Sequence, residues 1–424
     1  MRLALRREWA AVAVTALLLM SLAACSGSSG SSGISVGVNT TPPSVNNVQP
    51  IVVDSGPFVN GQPVGFNDAL YTTVTICAPG TSTCQSIDHV LVDTGSSGLR
   101  IVASQIGLNL PFIADANHNP IGNCAQFADT TYQWGPLVNV DVLMAGEVAL
   151  SIPIQVVGAS NFAAVPTACS AGGIAAQTVA TLGANGILGV GLFRQDCGSA
   201  CASTSAPPAV YFSCPAQLTS PCTAAPVAVS AQLQNPVWMF QQDNNGLAIV
   251  LPQVGATGAV SAVGSMVFGI GTRSNNGLAG ARAQAADGFG NFTTTFNGVA
   301  YSSSFIDSGS GGYYFLDSST TSLPNCAANS FAAGFYCPST PANFTAINSG
   351  PNPNGTEVQV SVNVAFPIAN ALPLIASPAL AFNNIGGPNP GVFDWGLPFF
   401  FGRTVFVGIE GQNTPAGRGP YWAY

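Results

Sequence analysis

Two aspartates stand in matching local surroundings. Asp93 ends the hydrophobic run His89-Val90-Leu91-Val92 and is followed by Thr94, Gly95, Ser96 and Ser97. Asp307 ends Ser304-Phe305-Ile306 and is followed by Ser308, Gly309, Ser310 and Gly311. Each Asp therefore precedes a hydroxyl residue, a glycine and a second hydroxyl residue. One such tetrapeptide carries little information in a chain with 48 glycines. Two of them, 214 residues apart, predict a two-lobed molecule with one carboxylate from each lobe. Carboxylates that share a site ionise one at a time, so the pair holds one proton between them. The ionised member can take a proton from water while the protonated member hydrogen-bonds the carbonyl under attack. Such a pair hydrolyses amides through a tetrahedral diol, with no cofactor or metal and no covalent intermediate, and it favours acidic pH.

The elements that must carry these loops read as strands. Residues 70–76 alternate and are β-branched, Ala78-Pro79-Gly80-Thr81 is a turn, and 87–92 is the strand leading to Asp93. Strands follow at 138–143 and 148–157. The run Gly186-Ile187-Leu188-Gly189-Val190 is apolar and punctuated by glycine, as where two backbones approach closely. Further strands are predicted at 247–251 and 266–270, with a lobe boundary near 255, then at 301–306 and 357–365, and as a closing pair over 395–407. Helices are few and short, with candidates at 178–182 and 226–234. The fold class is thus mostly β, in two lobes, 58–255 and 256–424.

The ends and the composition set the compartment. Arg2, Arg6 and Arg7 precede a short apolar stretch, 10–19, too short to span a bilayer. The run Leu22-Ala23-Ala24-Cys25 resembles the lipobox of bacterial lipoproteins. That resemblance implies a signal peptide over 1–24, lipidation of Cys25 and an outer-membrane address in the cell envelope. Residues 25–57 are rich in Ser, Gly, Thr and Pro and read as a tether. Setting Cys25 aside leaves ten cysteines, an even count that favours five disulfides in an exported chain. Cys77/Cys84 and Cys326/Cys337 are the expected local clips. The cluster Cys197, Cys201, Cys214 and Cys222 has ligand-like spacing for zinc, but an oxidising compartment favours disulfides there. The chain has 9 basic residues, none of them lysine, against 17 acidic ones, a formal net charge of −8. That argues against a nucleic-acid partner. The expected partners are a polypeptide substrate or peptide ligand and, through the lipid anchor, a membrane. The expected state is a monomer.

These motifs together resemble the pepsin-type aspartic peptidases. Asp93-Thr94-Gly95-Ser96-Ser97 matches that family's first active-site loop, and Asp307-Ser308-Gly309-Ser310 its second. Gly186-Ile187-Leu188-Gly189 is similar to the strand crossing behind the first loop, and Gly264-Ser265-Met266-Val267-Phe268-Gly269 to the strand opening the second lobe. The resemblance implies a bilobal fold of two β-barrel-like lobes with the active-site cleft between them, and an endopeptidase with Asp93 and Asp307 as its catalytic pair. It implies that the Thr94 and Ser308 hydroxyls brace the loops, and that Ser96 and Ser310 hold the outer carboxylate oxygens. A flap over the cleft would come from 127–136, with Tyr132 the first candidate for its aromatic residue and Phe127 and Trp134 its rivals. Two positions depart from the pattern: Arg100 stands where Trp is usual, and Gly311 where Ser or Thr is usual.

Competing readings are weaker. Asp54-Ser55-Gly56 is a third similar tripeptide, but it reads as a turn at the start of the fold. Asp317 and Asp394 read as structural. With His89 and His118 as the only histidines and no Gly-x-Ser-x-Gly elbow, a serine triad is not supported. The alternative from another class is a catalytically silent lipoprotein of the same fold that binds a peptide or serves the envelope structurally.

Overall fold

The computed structural model describes residues 47–215, 221–355 and 358–424. The predicted leader, the lipidation site Cys25 and most of the tether lie outside the described residues; the tether expected to run to 57 is corrected at its end, where Val48–Val53 is a strand paired with Leu70–Cys77 and Ala262–Phe268. Within them the protein is mostly β, and its helices are no longer than the five residues of Ala371–Ile375. No helix among the described residues is long and apolar enough to cross a membrane.

Two large sheets hold most of the strands. The larger one contains Leu70–Cys77, Cys84–Asp93, Ser97–Val102, Thr131–Met144, Glu147–Val157 and Gly186–Val190. It continues through Val48–Val53 into Ala262–Phe268, Gly246–Val250, Thr404–Gly408 and Tyr421–Ala423. The smaller, seven-stranded sheet carries Phe292–Phe296, Val299–Ile306, Tyr313–Leu316, Ala342–Pro351, Gln359–Ile368 and Asn389–Trp395, plus the short Gly386–Gly387.

Sequence patterning explains both the surfaces and the interior. Cys84–Asp93 is partly exposed at its outer end and buried over its last four residues, where the apolar run stands. Gly186–Val190 is buried throughout. A Cβ on Gly186 would lie 2.4 Å from the Arg100 carbonyl oxygen, so only glycine permits this spacing. In the smaller sheet the aromatics pack on one another: Phe315 meets Phe296, Phe344, Phe366 and Phe393, and Trp395 meets Phe366 edge-on at 5.1 Å. Such edge-to-face pairs add to what area burial alone contributes.

Several expectations are corrected here. The closing run 395–407 is not one strand pair: Asn389–Trp395 ends at a 3-10 turn, Leu397–Phe399, and Thr404–Gly408 joins the other sheet. Pro398 lacks an N–H to donate to a ladder, which suits it to a turn. The helix expected over 226–234 is reduced to the 3-10 turn Val229–Ala231, whereas the one at 178–182 forms as Val179–Leu182 with a capping box from Thr178 and Thr181. The strand placed at 357–365 runs Gln359–Ile368.

The ten cysteines form five disulfides: Cys77–Cys84, Cys124–Cys169, Cys197–Cys201, Cys214–Cys222 and Cys326–Cys337. The cluster with zinc-like spacing is therefore two disulfides. Five disulfides mark an exported protein.

Candidate active site

The two aspartate loops sit on the same unit in each half of the chain. Gly186–Val190 lies between Cys84–Asp93 and Ser97–Val102, parallel to the first with Gly189 opposite Asp93, antiparallel to the second with Gly189 opposite Gly98. Asn389–Trp395 lies likewise between Val299–Ile306 and Tyr313–Leu316, with Trp395 opposite Ile306 on one side and Tyr313 on the other. In both cases a loop bearing Asp leaves one strand and returns on the far side of a strand from elsewhere.

The loops face each other and are tied by mirror-image hydrogen bonds. The Thr94 N–H donates to Ser308 Oγ at 3.1 Å, and the Ser308 N–H donates to Thr94 Oγ1 at 2.9 Å. Each hydroxyl then donates across the junction: Ser308 Oγ to the Val92 carbonyl at 2.8 Å and Thr94 Oγ1 to the Ile306 carbonyl at 3.2 Å. All four backbone groups would otherwise be buried without partners, which explains the need for hydroxyls at both positions.

The carboxyls lie beside this brace, Asp93 2% and Asp307 6% exposed. Asp93 Oδ1 accepts from the Gly95 N–H at 2.8 Å and Oδ2 from Ser96 Oγ at 2.5 Å. Asp307 Oδ1 accepts from the Gly309 N–H at 2.7 Å and Oδ2 from Ser310 Oγ at 3.0 Å. The two carboxyls meet at hydrogen-bonding range. The glycines are required by proximity: a Cβ on Gly95 would lie 2.7 Å from Asp307 Cγ, and one on Gly309 2.7 Å from Asp93 Oδ1. Burial, and after it the charge of Asp307, push the Asp93 carboxyl up to about 7, against the opposing hydrogen bonds from Ser96 and Gly95. The pair thus keeps a proton well above the ordinary carboxylate range.

A cleft of about 370 Å³ opens over the pair, lined by Gln126, Phe127, Phe193, Arg100 and Phe289 among others. Phe127 sits at the tip of the hairpin Ile121–Gln126/Thr131–Met144. Phe289, 87% exposed, stands in the loop before Phe292–Phe296. Of the three aromatic flap candidates only Phe127 lines the cleft. Trp134 is buried, its Nε1 donating to the Ala163 carbonyl at 2.8 Å and its ring against Phe162 and Phe212. Tyr132 packs against that same cluster, opposite Gln126.

The departures also have local causes. Arg100 is buried and turned into the fold. Its Nη1 donates to the Ser97 carbonyl at 3.0 Å and its Nη2 lies 3.5 Å from Asp196 Oδ2. Asp196 also accepts from the Tyr211 hydroxyl and, at 3.1 Å, from Asn123 Nδ2. The guanidinium charge is therefore met by Asp196 beside the cleft. A Cβ on Gly311 would lie 2.7 Å from the Asn67 carbonyl oxygen, so Ser or Thr does not fit there. Asp54 accepts the Gly56 N–H at 2.8 Å, closing a turn in which Gly56 has φ +69°. Asp317 caps Ser318–Thr321.

Asp394 is the residue that sequence reasoning missed. It is 4% exposed, and its Oδ2 lies 2.7 Å from Ser310 Oγ, the hydroxyl that also serves Asp307. Burial, with the Asp307 charge behind it, pushes its carboxyl well above the ordinary range. The available signal was an acid inside an apolar strand, between Phe393 and Trp395.

The fold and site thus define a mostly β, exported protein with a buried aspartate pair at the base of a cleft. The chain belongs to the family described as "Protein of unknown function (DUF3443)", whose model matches residues 43–424. No pepsin-like or aspartic-peptidase family model matches, so the resemblance to the pepsin-type family is corrected to membership of this one. The resemblance rested on short motifs, the two aspartate loops and the strands at 186–189 and 264–269, and the disulfides, the hairpin tip and most of the remaining strands lie outside them. No curated protein matches the chain.

Proposed function

We propose that this protein is an endopeptidase that cleaves extended polypeptides through water activated by Asp93 and Asp307. The observation that carries the proposal is the meeting of two buried carboxyls, each fed by a loop N–H and a serine hydroxyl and held by a reciprocal hydroxyl brace. In this reading Asp93 holds the shared proton and Asp307 takes a proton from water as the water oxygen attacks the scissile carbonyl carbon. The Asp93 O–H hydrogen-bonds the carbonyl oxygen and stabilises the tetrahedral diol. Collapse of the diol passes a proton to the leaving nitrogen and restores one proton to the pair. Turnover needs that proton, so activity belongs below about pH 7.

We infer further that 58–255 and 256–424 act as two lobes flanking the cleft, because each carries one copy of the strand, loop and crossing-strand unit. The Phe127 hairpin would close over the bound peptide as a flap. Cys25, by its motif, would tether the enzyme to the outer membrane. The test is digestion of an unfolded protein at pH 3–6 by wild type and by Asp93→Asn. A loss of at least a hundredfold in the variant is expected. Equal rates, or no cleavage by wild type, would leave a peptide-binding lipoprotein as the better reading.

A further inference from the structure

The two halves of the site differ on their crossing strands. In the first half Ser96 Oγ donates to Asp93 Oδ2, and the crossing strand Gly186–Val190 presents Ile187 two residues before Gly189. In the second half the crossing strand presents Asp394 two residues before Gly396. Ser310 Oγ accordingly has two carboxyl neighbours, Asp394 Oδ2 at 2.7 Å and Asp307 Oδ2 at 3.0 Å. A hydroxyl carries one hydrogen, so it can donate to only one of them. The other contact needs its proton from the carboxyl side.

The surroundings of Asp394 decide which. It forms no ion pair among the described residues, and its Oδ1 is buried with no hydrogen-bond partner. The titratable groups facing it are Asp307 and, beyond it, Asp93, both like charges when ionised, with Tyr314 opposite it on the flanking strand. An ionised Asp394 would therefore have one bare buried oxygen and repulsion from the pair. A neutral Asp394 donates from Oδ2 to Ser310 Oγ, which frees the serine hydrogen for Asp307.

We propose that Asp394 is a third carboxyl of the site, a neutral positioning residue that donates through Ser310 to Asp307 and so makes Asp307 the base of the pair. This rests on the two-aspartate reading above and deepens it. The first half has no such acid, and that asymmetry distinguishes two otherwise equivalent aspartates. Burial acts in the same direction, holding the Asp394 carboxyl protonated.

The test is carboxyl-carbon NMR on the full chain labelled at aspartate, titrated from pH 3 to 8, for wild type, Asp394→Asn and Asp394→Ala. The Asp394 resonance should remain at its protonated position at pH 6. Asparagine keeps an N–H donor for Ser310, so Asp394→Asn should leave the first proton loss of the dyad unchanged. Asp394→Ala removes the donor and should move that step up by about one pH unit, a tenfold change in its proton affinity. An Asp394 resonance at the carboxylate position at pH 6, or equal shifts in the two variants, would overturn the proposal. Proteolysis measured on the same samples separates the two ideas. Expected titrations without turnover would sink the peptidase and leave the Asp394 assignment standing, and turnover with an ionised Asp394 would do the reverse.

Discussion

Replacing Asp93 by Asn should flatten the pH dependence of stability. In the unfolded chain Asp93 titrates near its ordinary 3.8, and in the fold it is pushed up to about 7 by burial and by Asp307. Below 3.8 the carboxyl is protonated in both states. Between 3.8 and 7 the unfolded chain loses the proton and the folded one keeps it, so ionisation pulls toward unfolding. Above 7 both are ionised and the loss is complete. The stabilisation is thus full at low pH and disappears as pH rises through the folded value, by about 4 kcal/mol in total. Asn does not titrate, so the variant lacks this loss. The other buried acids whose carboxyls are raised and that lie away from the pair, Asp68, Glu147 and Asp196, are common to both proteins and cancel in the comparison; Asp394 is also present in both, and the charge it feels comes first from Asp307 and only then from Asp93. The assay is urea unfolding of both proteins with disulfides intact at half-unit steps from pH 4 to 8. Wild type should fall relative to Asp93→Asn by several kcal/mol, most steeply between pH 4 and 7. Parallel curves, or wild type gaining on the variant as pH rises, would refute a shared buried proton.

Four other outcomes are expected. Thr94→Val removes the acceptor of the Ser308 N–H and the donor to the Ile306 carbonyl, both buried; it should cost about 2–4 kcal/mol in denaturant unfolding and lower peptide cleavage as well. Gly95→Ala forces a Cβ to within 2.7 Å of Asp307 Cγ, so the carboxyl pair must separate and turnover should fall below detection while the near-ultraviolet circular dichroism stays native-like. Removing the Cys124–Cys169 disulfide, which closes 45 residues, should lower stability by about 4 kcal/mol, against about 2 for Cys197–Cys201, which closes 4; thermal unfolding of the two double-alanine variants checks the order. Phe127→Ala, at the hairpin tip over the cleft, should raise KM for peptides severalfold with little change in melting temperature, because Phe127 is only partly buried.

Much of the local chemistry was legible in the linear chain because it depends on near neighbours. The turn at each aspartate needs a hydroxyl residue and a glycine within three positions, so the loops 93–96 and 307–310 announce themselves. Alternation and β-branching set most strands, and the even cysteine count in an exported chain pointed to disulfides. The short clips Cys77–Cys84 and Cys326–Cys337 were readable because few residues separate their partners. Cys124–Cys169 was not, since those cysteines are brought together by the pairing of the Phe127 hairpin with its surroundings. The flap aromatics illustrate the same limit. Phe127, Tyr132 and Trp134 lie within eight positions, yet strand orientation sends Trp134 into the core and leaves only Phe127 on the cleft.

Residue order alone thus established the mostly β class of structure, export and the two loops that carry acid groups, since each of these is written in composition or in contacts a few residues long. Folding decided the rest: that Asp93 and Asp307 meet, that Thr94 and Ser308 exchange hydrogen bonds across 214 positions, that Asp196 takes up the charge of Arg100, and that Asp394 reaches Ser310 from a strand 84 positions on. Those contacts depend on strand register and on exclusion of water, and neither has a local signature in the chain.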